Sequence, residues 1–124
     1  MPSLSESNTL GDLLKYEAPN LFSRESITVA AGANLSLGTV LGRVTASGKY
    51  VILAPAASDG SQTAAAVLLG DAAAASADTK GLILARHGIV ADHALVWPGG
   101  ITGGQKTTAI SQLETKGILV RKGA

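Results

Sequence analysis

The chain has 124 residues, no cysteine and a formal charge of +1 from ten basic and nine acidic side chains. That length is one domain's worth and buries about two-thirds of the surface an unfolded chain exposes, so no covalent staple is needed. The missing cysteines exclude disulfides and thiolate metal sites, the balanced charge argues against a nucleic-acid binder, and an aromatic content of 3% leaves few stacking platforms.

Charged residues are 15% of the chain and hydrophobic ones 46%. The core must come from Ala, Val, Leu and Ile, and so little charge suggests surface hidden in an oligomer or on a partner. No apolar run approaches membrane-spanning length, and Met1-Pro-Ser-Leu-Ser-Glu6 lacks the basic and apolar regions of a signal peptide. The expectation is a protein made and kept in the cytoplasm, or on something assembled there, with no membrane partner.

Residues 1–26 differ from the rest, holding five serines and four of the nine acids. Leu10, Leu13 and Leu14 have the spacing of one helical turn, while Gly11 and Pro19 bar a long helix. A purely solvated tail would not keep Leu10, Leu13, Leu14, Tyr16, Leu21 and Phe22. The segment therefore reads as an extended N-terminal arm that orders on a partner, with a β-rich domain over 27–124.

From Ile27 the pattern is strand and turn. Thr39-Val-Leu, Arg43-Val-Thr and Tyr50-Val-Ile-Leu are rich in β-branched residues and bounded by Gly38, Gly42, Gly48 and Pro55. Ser47-Gly48-Lys49 signals a hairpin, and Ser58-Asp59-Gly60-Ser61 a turn. Residues 64–69 form an apolar strand. The alanine-rich residues 71–77 are expected as a helical turn or an exposed loop. Gly81-Leu-Ile-Leu-Ala-Arg and Gly88-Ile-Val-Ala read as further strands.

One helix is expected near the C-terminus. Thr102 and Gln105 have capping-box spacing, and Ala109, Ile110 and Leu113 form an apolar stripe. Gly117 suits a left-handed helix end, from which Ile118 would touch Leu113 in a Schellman motif. Ile118-Leu-Val-Arg121 closes as a last strand.

Residues able to do chemistry are few. Gly99-Gly-Ile-Thr-Gly-Gly104-Gln-Lys106 approaches a phosphate-binding loop, but Gln105 separates the last glycine from the lysine. It reads as a flexible connection into a capped helix. His87 and His93, with Asp92, suggest a metal or acid–base pair, but Gly88 interrupts the strand they would share, so loop or interface histidines are the better reading. Lys49 sits at a hairpin tip, as the modified lysine of carrier domains does, yet lacks their flanking residues and reads as a solvated turn lysine. Trp97-Pro98 either plugs one end of the core or anchors a subunit contact. No catalytic, cofactor or metal site is expected.

Taken in order, these pieces resemble the bacteriophage head decoration proteins, the lambda-type capsid cement family. The resemblance rests on the polar arm, Gly38-Thr-Val-Leu-Gly42, Asp59-Gly60 before Thr63-Ala-Ala-Ala-Val-Leu, Leu95-Val-Trp97-Pro98, the helix and Gly117-Ile-Leu-Val, over residues 10–122. It implies a mainly β, β-clip-like domain with one short helix, and a homotrimer on the outer surface of the expanded phage head. The implied partner is the major capsid protein, gripped by the arm, and no catalytic residue is carried over. The rival reading is a non-viral β-clip-like module that binds a small molecule or carries a group on Lys49.

Overall fold

The computed structural model describes residues 13–17 and 23–122. In chain order the strands are β1 (Leu14–Glu17), β2 (Arg24–Val29), β3 (Ala33–Leu35), β4 (Val40–Arg43), β5 (Tyr50–Ile52), β6 (Ala64–Leu68), β7 (Ala72–Ala74), β8 (Thr79–Leu84), β9 (Gly88–Ala91) and β10 (Ile118–Arg121). A 3-10 turn at Asp92–Ala94 follows β9, and helix α1 (Gly103–Glu114) precedes β10. The fold is mainly β, with a small barrel and a short C-terminal helix, as the sequence predicts.

The barrel closes in the order β2-β5-β4-β6-β8. β2 and β8 pair antiparallel from Arg24↔Leu84 to Val29↔Thr79. β4 runs antiparallel to both β5 and β6. Closure depends on one parallel pair, Val29↔Tyr50, extended by the Ala30 amide donating to the Tyr50 carbonyl at 2.9 Å. Outside the barrel, β9 carries β1 antiparallel on one side and β10 parallel on the other. β3 and β7 form a separate antiparallel ribbon.

Alternation along the barrel strands divides the apolar residues between two cores. Val29, Leu41, Ala66, Leu68 and Ile83 form an inner cluster, joined by Leu35, Ala72 and Ala74 of the ribbon. Their sequence neighbours Val40, Val67, Leu69 and Leu84 point the other way, into an outer cluster with Val90, Ala109, Leu113 and Ile118. Residues 64–69 are a continuous apolar run because both faces of that strand are covered.

Helix α1 starts as its residues dictate. The Gln105 amide donates to Thr102 Oγ1 at 3.1 Å, and the Thr102 amide donates to Gln105 Oε1 at 3.0 Å. Ala109 and Leu113 face the outer core. The helix end keeps the inner hydrogen bond of the expected Schellman motif, from the Gly117 amide to Glu114 O. The Lys116 amide donates to Leu113 O and the Gly117 amide to Glu114 O, each at 2.9 Å, so two successive tight turns unwind the helix. Gly117 still has φ +78°, and a Cβ there would lie 2.6 Å from the His87 ring. Ile118 joins Leu113 in the outer core as expected.

Three expectations are corrected. Residues 72–74 form a strand rather than a helical turn or loop, because Ala72 and Ala74 are buried while Ala73 faces out and β3 supplies the pairing edge. Gly42 lies inside β4 rather than bounding two strands; it marks a register shift against β6, where a Cβ would come within 2.7 Å of Ser61 Cα. The boundary between residues 26 and 27 falls within β2, which pairs with β8 from Arg24 onward.

Candidate interaction surface

Leu13 and Leu14, taken from sequence as arm residues, belong to the domain. Leu13 is fully buried in the outer core and Leu14 is half-buried against it. Burying a leucine of this kind stabilises by about 1.5–3 kcal/mol, which makes Leu13 part of the fold. The Tyr16 backbone pairs with Ile89 in β1. Leu10, Leu21 and Phe22 lie outside the described residues. Within its sheet β1 is an edge strand, with β9 on one side only.

Trp97 and Pro98 follow a segment locked to the barrel. The Val96 amide donates to Gly38 O at 2.9 Å and the Val40 amide to Val96 O at 3.1 Å. Gly38 has φ +93°, and a Cβ there would lie 3.5 Å from the Ala94 carbonyl carbon and closer still to its oxygen. Trp97 is half-buried and packs with Ile101 against the outer core. Lys106 Nζ lies 5.9 Å from the Trp97 ring centroid, a cation–π contact that holds the lysine on the helix surface. The glycine stretch before it ends in the capping box.

His87 and His93 are both exposed and sit at opposite ends of β9, so the strand holds them apart. Among the described residues no group of three or more His, Cys, Asp or Glu could hold a metal ion, and no helix is long and apolar enough to cross a membrane. Lys49 pairs with Asp78, its Nζ 2.6 Å from Oδ2.

Several acids that the sequence did not single out tie loops together. Asp78 Oδ1 also accepts the Ala31 amide at 2.8 Å, and Asp71 Oδ1 accepts the Leu37 amide at 2.8 Å. Asp59 Oδ1 accepts the Ser61 hydroxyl at 2.5 Å and the Ser61 amide at 3.0 Å. The Lys49 hydrogen bond, then the Ala31 amide, hold the Asp78 carboxyl below the ordinary aspartate range. The Ser61 hydroxyl, then its amide, do the same for Asp59. Asp59 stands in a recognisable turn sequence. Asp71 and Asp78 have no local signal, since their partners lie on distant loops.

β2 and β5 meet only at Val29 and Tyr50. Away from that pair they part around an open polar cleft of about 720 Å³. Glu25, Arg43, Tyr50, Ala65 and Ala85 line it from the barrel, and Arg86, His87 and Lys116 from its rim. Arg86 forms an ion pair with Glu25. His87 has φ 51°, the only positive φ at a described residue other than glycine. It is fixed by its amide donating to Lys116 O at 3.2 Å and by the buried Ser23 hydroxyl donating to His87 O at 2.8 Å.

The family model for bacteriophage lambda head decoration protein D matches residues 3–118, from ahead of β1 to the first residue of β10. A comparison with curated proteins gives no match. With the barrel, the capped helix and the Trp97 segment all inside the matched span, the chain belongs to the bacteriophage lambda head decoration protein D family.

Proposed function

We propose that this protein binds the outer surface of the expanded phage head as a homotrimer and stabilises it against internal DNA pressure. The family match over residues 3–118 carries this reading. The protein would be made in the host cytoplasm, would bind the major capsid protein rather than nucleic acid, and would act without catalysis. Binding only to the mature lattice adds the binding free energy to that lattice's stability by mass action. A closed trimer would use one heterologous interface three times.

Composition alone is a weaker support for the trimer than the sequence suggests. Among the described residues the one exposed large hydrophobic side chain is Leu82, at 38% exposure. The apolar content goes instead into two cores. The trimer therefore rests on the family, with Trp97 and Pro98 as its candidate subunit or capsid contact.

The capsid-binding arm is proposed as residues 1–12, which contain Leu10 and lead directly into edge strand β1. Fully extended, twelve residues reach about 40 Å, enough to meet a neighbouring subunit. Strand addition at an exposed sheet edge is the expected mode. Velocity sedimentation of the protein, alone and with expanded empty capsids, tests the reading. The expected result is capsids that take up the protein as trimers and then withstand higher temperature. A protein that stays in the supernatant, or that binds as a monomer, contradicts it.

A further inference from the structure

We propose that Arg43 and Lys116 form an oxyanion site that takes the carboxylates of an acidic polypeptide segment. The two side chains come from distant parts of the chain, the end of β4 and the turn between α1 and β10. Both line the 720 Å³ cleft, and both line an adjoining cavity of about 410 Å³. They therefore stand on the boundary between the two spaces, with Ala65 as the other shared residue.

The charges are unevenly used. In the larger cleft Glu25 is matched by Arg86, and Glu114 lies on the helix side. The smaller cavity has no carboxylate in its wall, only Arg43 and Lys116 among Thr45, Gly60, Gln62, Thr63, Ala64 and Ala65. Among the described residues neither cation has an acidic partner. Arg43 commits one donor, Nε, to Gly48 O at 3.4 Å, and its guanidinium has further N–H groups for a bidentate acceptor. Gln62 Oε1 accepts the Gly60 amide at 2.8 Å, which leaves its NH₂ group as a donor to a ligand.

The backbone that presents these groups is fixed. Gly60 has φ +108°, and a Cβ there would lie 2.6 Å from Arg43 O, so the loop bearing Gln62 is seated directly on the end of β4. Lys116 O accepts the His87 amide, and that histidine holds an unfavourable φ under three hydrogen bonds if the Gly88 amide to Gly117 O, at 3.1 Å, is included. Two cations on the ridge between two cavities suit an extended ligand better than a single ion. Carboxylates would meet the cations, while Thr45, Thr63 and Gln62 would hydrogen-bond the peptide backbone.

The test uses the free full-length protein, so its failure leaves the capsid reading untouched. Fluorescein-labelled hexaglutamate is titrated with the protein and followed by anisotropy. Saturable binding is expected, weakened at least about tenfold in R43A/K116A. It should be unchanged in K80A/K122A, which removes two exposed lysines elsewhere. Hexaglutamine should not bind, and inorganic phosphate at equal concentration should not displace hexaglutamate. Circular dichroism melts of both variants report that the fold is intact. No binding, or equal loss in the two double variants, overturns the site. Displacement by phosphate at equal concentration overturns the polypeptide assignment in favour of a free anion.

Discussion

The two cores are built from different reaches of the chain. The inner cluster draws its buried residues from Val29 to Ile83, a single stretch of strands and turns. The outer cluster runs from Leu13 to Ile118 and gathers into one core a residue from ahead of the barrel and residues of a helix that follows it. The barrel is thus closed within residues 24–84, whereas the outer core needs both ends of the chain in place. An N-terminal segment that reads as an appendage is, from Leu13 on, part of what holds α1 and β9 to the barrel.

The largest effect should come from removing that reach. A chain lacking residues 1–26 loses Leu13, all of β1 and the first three residues of β2, Arg24, Glu25 and Ser26. It should lose its cooperative melt in calorimetry, whereas a chain lacking only residues 1–12 should melt within a few degrees of the full protein. Leu13→Ala isolates the packing term. A fully buried leucine truncated to alanine costs about 2–5 kcal/mol, which denaturant unfolding would read as a lower midpoint. A loss below about 1 kcal/mol would mean that the outer core does not depend on the N-terminal segment.

Smaller effects separate local from long-range order. Thr102→Ala removes the bond from the Gln105 amide to Thr102 Oγ1, one of the two in the capping box, and should cost about 1 kcal/mol in denaturant unfolding. Asp78 tests the tie between the β4–β5 hairpin and the β7–β8 loop through pH. Its folded carboxyl titrates below its unfolded one, so its stabilisation is fully present above the unfolded value. That stabilisation is lost as pH falls from the ordinary aspartate range through the lowered folded value. Melting temperature should drop over that acid window, and Asp78→Asn should flatten the drop. Both carboxylate and lysine are substantially exposed, so salt should weaken the effect.

Local signals were legible in the sequence. The capping box needs only Thr102 and Gln105, the hairpin only Gly48 at φ +73°, and β9 and β10 only short apolar runs after glycine. Pairings between distant segments were not. Alanine favours helix by a fraction of a kcal/mol per residue, and that preference at 72–74 is outweighed by an edge on β3 and a buried site for every second methyl. Leu13 carries no mark that distinguishes a core leucine from an arm leucine, because its burial depends on a cluster whose other members run from Leu37 to Ile118. The Arg43–Lys116 ridge is invisible for the same reason, since β4 and the α1–β10 turn meet only in the folded chain.

The most direct measurement is quantitative binding of two chains to expanded capsids, the full protein and one lacking residues 1–12. The shorter chain should remain folded, by circular dichroism, and lose most of its affinity for the capsid. Equal decoration by both chains would contradict it and would move the capsid contact onto the described domain, with the Trp97–Pro98 segment as the first surface to test.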